Sequence, residues 1–159
     1  MIGDIYTAAC STIIWLGEES GEVKMAFGSL RRFAIAWDSL EPDPPASKDE
    51  PDFITRNRAE RVLQAAFGRN QAAAFRHIWA LLSRPWFTRK WIIQELVKSQ
   101  TPLMVAGRIA LPWALLAGWM NFVRWCPNLK EVFMRFCPQP LEAGAKVLGM
   151  SMLRATLLT

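Results

Sequence analysis

The sequence predicts an α/β domain, helix-rich overall, with a small sheet flanked by helices. Three observations carry that expectation. Residues 11–17, STIIWLG, are a run of β-branched and aromatic residues closed by a glycine, which reads as a short buried strand. Residues 102–106 and 109–111 are two more apolar runs joined at Gly107-Arg108, and glycine at the first turn position suits a type II′ hairpin. Between these runs lie stretches whose apolar residues recur at helical spacing. At 159 residues and 52% hydrophobic, the chain is long and apolar enough to build one core.

Taken in order, residues 1–9 read as the end of a helix, and a strand entered from a helix implies more sheet nearby. Residues 23–40 follow as a helix in which Met25, Phe27, Leu30, Phe33, Ala34 and Trp37 form a broad apolar stripe, with Arg31, Arg32 and Asp38 elsewhere. This helix is expected to cover one face of the sheet. Residues 41–52, EPDPPASKDEPD, hold four prolines and five acids and cannot pack a core, so they read as a loop inserted within one domain. Residues 53–67 are a basic amphipathic helix, with Arg56, Arg58, Glu60 and Arg61 solvated and Val62, Leu63, Ala66 and Phe67 packed; Gly68 ends it.

The next helix, residues 71–82, carries Phe75, Ile78, Trp79 and Leu82 on one stripe. His77 lies off it. As the chain's single histidine it is a candidate general base, but no Ser or Cys motif surrounds it, and a surface or hydrogen-bonded structural role is the favoured reading. After the hairpin, Trp113 opens a helix that runs to Arg124. Pro127 and Pro138 bracket a further helical piece at 129–136, and 142–158 is weakly amphipathic.

The most unusual stretch is 83–96, SRPWFTRKWIIQEL. Pro85 stands where a helix can begin without losing a hydrogen bond, and from Trp86 no glycine or proline interrupts until Pro102, so one helix is expected from Trp86 onward. Trp86, Phe87, Trp91, Ile92, Ile93, Leu96 and Val97 leave hardly any face polar, which predicts packing on most sides. Glu95 is then the odd residue. At i and i+4, Trp91 and Glu95 share a helical face, setting a carboxylate beside an indole.

These residues carry a resemblance. RPWFTRKWIIQE, with IYTAACSTIIWLGE near the start and the later GRIALPW, closely resembles the fungal heterokaryon incompatibility (HET) domain, three separated motifs in the right order across residues 1–113. That family is similar in turn to TIR domains, whose enzymatic members carry a helical glutamate in a Trp-x-x-x-Glu-Leu context; Trp91, Glu95 and Leu96 match that spacing. The resemblance implies a TIR-like fold and a partial one. The family has an internal Met in the position of Met1, preceded by two strands and an acidic, Cys-containing motif. A fragment, a misassigned start and a degenerate copy are the alternatives. Residues 1–118 are thus expected to be the C-terminal part of a HET domain, incomplete on the side where further strands would pair, and 119–159 a helical extension.

The resemblance also implies a role in non-self recognition and programmed cell death, with NAD as a substrate and no cofactor. Glu95 is the candidate catalytic acid, since breaking the glycosidic bond to nicotinamide calls for negative charge beside an oxocarbenium-like sugar. Arg89 is the candidate phosphate contact, and Trp86 and Trp91 are candidates to stack on a ring. The alternative for each is structural: Glu95 paired with Lys98 at i+3 or with Arg89, and both tryptophans in the core. A non-enzymatic interaction module, or an inactive truncated remnant, is the competing function. The chain by itself is expected to be inactive, because no Gly-rich phosphate loop replaces the first strands.

Composition bounds the partners. The net charge of +5 is spread over many separated arginines without a dense block, which favours a solvated basic surface over nucleic-acid binding. Cys10, Cys126 and Cys137 are odd in number and unlike any zinc spacing, so no metal site and a reduced, cytoplasmic setting are expected. The apolar run 109–123 is too short to span a bilayer and is broken by Pro112 and Gly118. The implied partners are copies of the chain itself or other cell-death proteins.

Overall fold

A computed structural model describes residues 11–41, 56–89, 96, 99 and 101–126. The helix end expected at 1–9, most of the 41–52 loop, Trp91 and Glu95, and the helical pieces beyond residue 126 lie outside the described residues. Within them the order is β1 (Thr12–Trp15), α1 (Gly21–Ser39), α2 (Arg56–Phe67), α3 (Gln71–Leu82), a 3₁₀ turn (Pro85–Thr88), β2 (Pro102–Ala106), β3 (Ile109–Pro112) and α4 (Trp113–Trp125). A second 3₁₀ turn, Gly68–Asn70, joins α2 to α3, and Gly68 makes it possible by taking φ +52°.

The three strands form one mixed sheet in the order β1-β2-β3. β1 runs parallel to β2, with Thr12 beside Pro102 and Trp15 beside Val105. β2 and β3 are antiparallel, Met104 facing Leu111. Their hairpin turns at Gly107 (φ +54°), and since no non-glycine residue described has positive φ, Arg108 does not, which matches type II′ rather than I′. A parallel neighbour needs a long crossover, and here it contains all of α1, α2 and α3.

Strand alternation puts Ile14, Met104 and Leu111 on one face, all buried, and Ile13, Leu103 and Pro112 on the other. The expectation of a strand buried on both faces is therefore corrected. Ile13 is 67% exposed and Trp15 52%, because the helices cover one face of β1 while its continuous apolar run reads as if both were covered. α1 packs against α2, α3 and α4, and α4 against β2 and β3.

Phe33, Trp37, Phe67, Phe75, Trp119 and Phe122 link the four helices through edge-on and tilted ring contacts such as Phe33–Trp119 at 5.0 Å. Each such pair adds about 0.5–1.5 kcal/mol beyond its buried area. α4 runs without interruption across the boundary drawn at 118/119. Trp119, Met120, Phe122 and Val123 belong to the same core as the strands.

Two residues expected elsewhere are relocated. Met25, placed on the buried stripe of α1, is 49% exposed, since the buried face is Val23, Ala26, Phe27, Leu30 and Phe33. Arg58, expected in solvent, lays its guanidinium 4.0 Å over the ring of Trp37, which is half-buried on α1.

Candidate functional site

The site takes shape where β1 ends. In sheets with parallel strands, ligands gather beyond the strands' carboxyl ends, and here that region is the turn 16–20 leading from β1 into α1. Gly17 takes φ +93°, a conformation that suits glycine, and its carbonyl accepts the Gly107 N–H at 3.0 Å. Leu16 N–H donates to the Val105 carbonyl at 2.8 Å, extending the ladder one residue past the strand. Ser20 caps α1, its hydroxyl accepting the Val23 N–H at 3.3 Å.

Glu19 closes the turn against the hairpin. A hydrogen bond from Lys24, reinforced by the charge of that ammonium and by the Arg108 backbone N–H, holds the Glu19 carboxyl below its ordinary value, with desolvation acting against them. Its Cβ also fills the space where Gly107 has no side chain.

Arg84 joins this turn from 64 to 68 residues away. Its Nη1 donates to the Leu16 carbonyl at 2.9 Å and the Glu18 carbonyl at 3.1 Å, and its Nη2 to the Ser20 hydroxyl at 3.0 Å. Sequence reasoning placed Arg84 among scattered surface arginines. The signal that could have found it is Pro85, which drives the preceding residue to extended backbone; Arg84 has φ −64° and ψ 147°, and the chain leaves α3 there.

The same proline marks a correction. One helix was expected from Trp86 onward, but Pro85–Thr88 is a single 3₁₀ turn, and Arg89 is extended at φ −68° and ψ 146°. The turn is stapled by the Phe87 and Arg89 N–H groups to the Arg84 and Trp86 carbonyls, and by the Thr88 hydroxyl to the Pro85 carbonyl. Among the described residues helix resumes at Leu96, which is buried. Trp86 is 5% exposed, its indole 5.0 Å from Phe87 and 6.0 Å from Trp113, so its ring is packed among rings rather than open to a ligand. Arg89 is exposed just past the turn. His77 is half-buried on α3.

A sequence model of the family described as Heterokaryon incompatibility protein (HET) matches residues 1–95, more than half of the chain. The chain belongs to the HET family. No curated protein and no solved structure matches it. The matched span of the HET chain includes β1, the strand-end turn, Arg84 and the 3₁₀ turn, so the staple from Arg84 to residues 16–20 lies wholly within it. Among the described residues of the HET domain, no group of three His, Cys, Asp or Glu side chains could hold a metal ion, and no helix is long and apolar enough to cross a membrane. An open groove of about 700 Å³ runs along α2 past Leu40, Asn57, Glu60, Gln64 and Gln71. None of its lining residues belongs to the strand-end turn, and Glu60 in it is engaged by Arg56 at 3.0 Å.

Proposed function

We propose that this HET chain acts in fungal non-self recognition and programmed cell death, and that its chemistry is TIR-like cleavage of NAD with Glu95 as the essential acid. The observation that carries the reading is the family match across residues 1–95, which takes in both the strand-end turn and Glu95. The parallel β1–β2 pair with a helical crossover supports it, because such a sheet offers a ligand edge. In the proposed reaction the bond between ribose C1′ and the nicotinamide nitrogen breaks, and nicotinamide leaves with the electron pair. Water then bonds C1′ and releases a proton, giving ADP-ribose. The Glu95 carboxylate would stabilise the cationic sugar between these events. Arg89, exposed just past the 3₁₀ turn, is the proposed phosphate contact, and Trp91 the proposed ring contact. The reading places the protein in the cytoplasm, with copies of itself or other cell-death proteins as partners.

A second reading has its own observation. Ile13 and Trp15 expose a large apolar area on the uncovered face of the sheet, as a non-enzymatic interaction module would. One experiment separates the two. Nicotinamide release and cell killing are measured for wild type, Glu95→Gln and Lys98→Ala, with and without in-frame sequence upstream of Met1. Glu95→Gln keeps the shape and removes the charge, so it should abolish both activities while Lys98→Ala changes little. A glutamate serving only as a helix pair is worth about 0.2–0.5 kcal/mol, and its loss would leave activity intact. Equal killing by wild type and Glu95→Gln at equal folded protein, with loss on Trp15→Ser, would reject the enzyme and favour the module.

A further inference from the structure

We propose that Arg84 is a guanidinium-specific latch: it holds the turn 16–20 in its working conformation and is not itself a ligand-binding residue. The proposal goes beyond the NAD-cleaving reading and stands without it. Arg84 is the cation bonded to the backbone carbonyls of the strand-end turn, and beyond the carboxyl end of a parallel strand an arginine would ordinarily be read as a phosphate contact.

Its geometry says otherwise. Three of its five N–H donors are already taken, by two carbonyls and a hydroxyl at 2.9, 3.1 and 3.0 Å, so most of the fork is spent on the turn. Other groups of the turn are bonded within the fold as well: Gly17 O with Gly107 N–H, Leu16 N–H with Val105 O, the Ser20 hydroxyl with Val23 N–H. Glu18, Glu19 and Glu22 add negative charge around the start of α1, which opposes an anionic ligand there.

The fit is specific at three levels. Pro85 sets the Arg84 backbone, so the side chain departs from a fixed point. A planar fork serves three acceptors at once, whereas a lysine ammonium is a single compact charge on a flexible stem. Gly17 leaves room for the fork: a Cβ there would lie 3.3 Å from Nη1, and φ +93° already disfavours any other residue. The latch thus joins the exit of β1 to the exit of α3. The chain that continues from Arg84 through Trp86 to Arg89 is anchored against the strand end by it.

Hydrogen exchange on the full chain tests the latch. Arg84→Lys and Arg84→Ala should each speed exchange at the Leu16, Val23 and Gly107 amides by about ten- to hundredfold, the range expected for losing hydrogen bonds to a charged group, while amides near Phe33 in mid-α1 stay protected. Methylguanidinium at about 0.1 M, where a site worth a ten- to hundredfold effect is occupied, should restore protection in Arg84→Ala, and tetramethylammonium at equal ionic strength should not. Pyrophosphate should leave exchange at these amides unchanged in wild type. If Arg84→Ala fails to fold, Ser20→Ala, which removes one acceptor and the cap, should give the same local loosening. Wild-type exchange in Arg84→Lys would overturn guanidinium specificity. Protection by pyrophosphate that vanishes in Arg84→Lys would overturn the latch and make Arg84 a ligand residue. Because every readout is structural, failure of NAD cleavage leaves the outcome of this test untouched.

Discussion

Alanine at Gly107 and alanine at Gly118 should move stability in opposite directions, though the substitution is chemically the same. At Gly107 a Cβ would lie 2.7 Å from the Glu19 Cβ and 2.9 Å from the Glu19 nitrogen, well inside the roughly 3.5–4.0 Å of ordinary contact. The backbone there is also left-handed at φ +54°, costing a non-glycine residue about 1–2 kcal/mol. Glu19 cannot retreat freely, because the neighbouring Gly17 and Glu18 carbonyls are bonded to Gly107 and Arg84. Relief would break one or two hydrogen bonds at about 0.5–1.5 kcal/mol each. Together these give a loss of roughly 2–4 kcal/mol, or about 4–16 °C in Tm for a chain of this size. Gly118 is exposed in α4, and a Cβ there meets nothing within 4 Å. Its alanine variant should gain about 0.5–1 kcal/mol from helix propensity alone. Urea unfolding of the three proteins measures both, read as midpoint shifts at unchanged slope. A Gly107→Ala protein within about 0.5 kcal/mol of wild type, a quarter of the smallest combined loss, would refute the argument that Glu19 occupies the missing side chain's place.

Two further outcomes follow from the packing. In a Cys10→Ser/Cys137→Ser background, Cys126 should resist thiol reagents at pH 8 until the protein is unfolded, because burial pushes its thiol up to about 11 from an ordinary 9.0. The folded state then holds its proton after the unfolded state has lost it, so stability should be flat below pH 9 and fall from there through about pH 11; denaturant midpoints across that window check the slope. A double-mutant cycle of Arg58→Ala and Trp37→Leu should return a coupling of about 0.5–2 kcal/mol, the range for a cation over a ring, and additive single effects would contradict the contact.

How much of this was legible depends on how local the cause is. The hairpin could be read because Gly107-Arg108 states its own turn chemistry, and α3 because Phe75, Ile78, Trp79 and Leu82 recur with the helical period. The segment after Pro85 was misread because two signals coincide there: proline opens helices, and it equally suits a 3₁₀ turn that ends after four residues. Arg58 could not be distinguished from a solvated arginine, since Trp37 lies far away along the chain, and for Arg84 the one local signal, Pro85, marks a fixed backbone but not the turn 16–20 that the side chain engages. Apolar continuity in β1 predicts a strand but is silent on how many faces are covered, and Ile13 and Trp15 show the difference. Glu95 is a candidate through the family resemblance and its Trp-x-x-x-Glu-Leu spacing, and it lies outside the described residues.

The pairing of β1 with β2 sets a schedule for biosynthesis. Ser11 bonds the Thr101 carbonyl across ninety residues, and the strands on either side of that bond are the sheet's only parallel pair among the described residues. At about 5–20 residues per second, β1 waits on the order of 5–20 s after emerging before its partner is made. Through that interval the backbone of Thr12–Trp15 has no ladder, and Ile13, Ile14 and Trp15 are free to meet other apolar chains. The helices α1 to α3 are complete well before, built from local contacts that form fast. A ribosome-bound chain stopped short of Pro102 should therefore be a helical subdomain with a sticky leader, and a chaperone that recognises short apolar extended segments should bind it at β1 and release it once Ala106 has emerged.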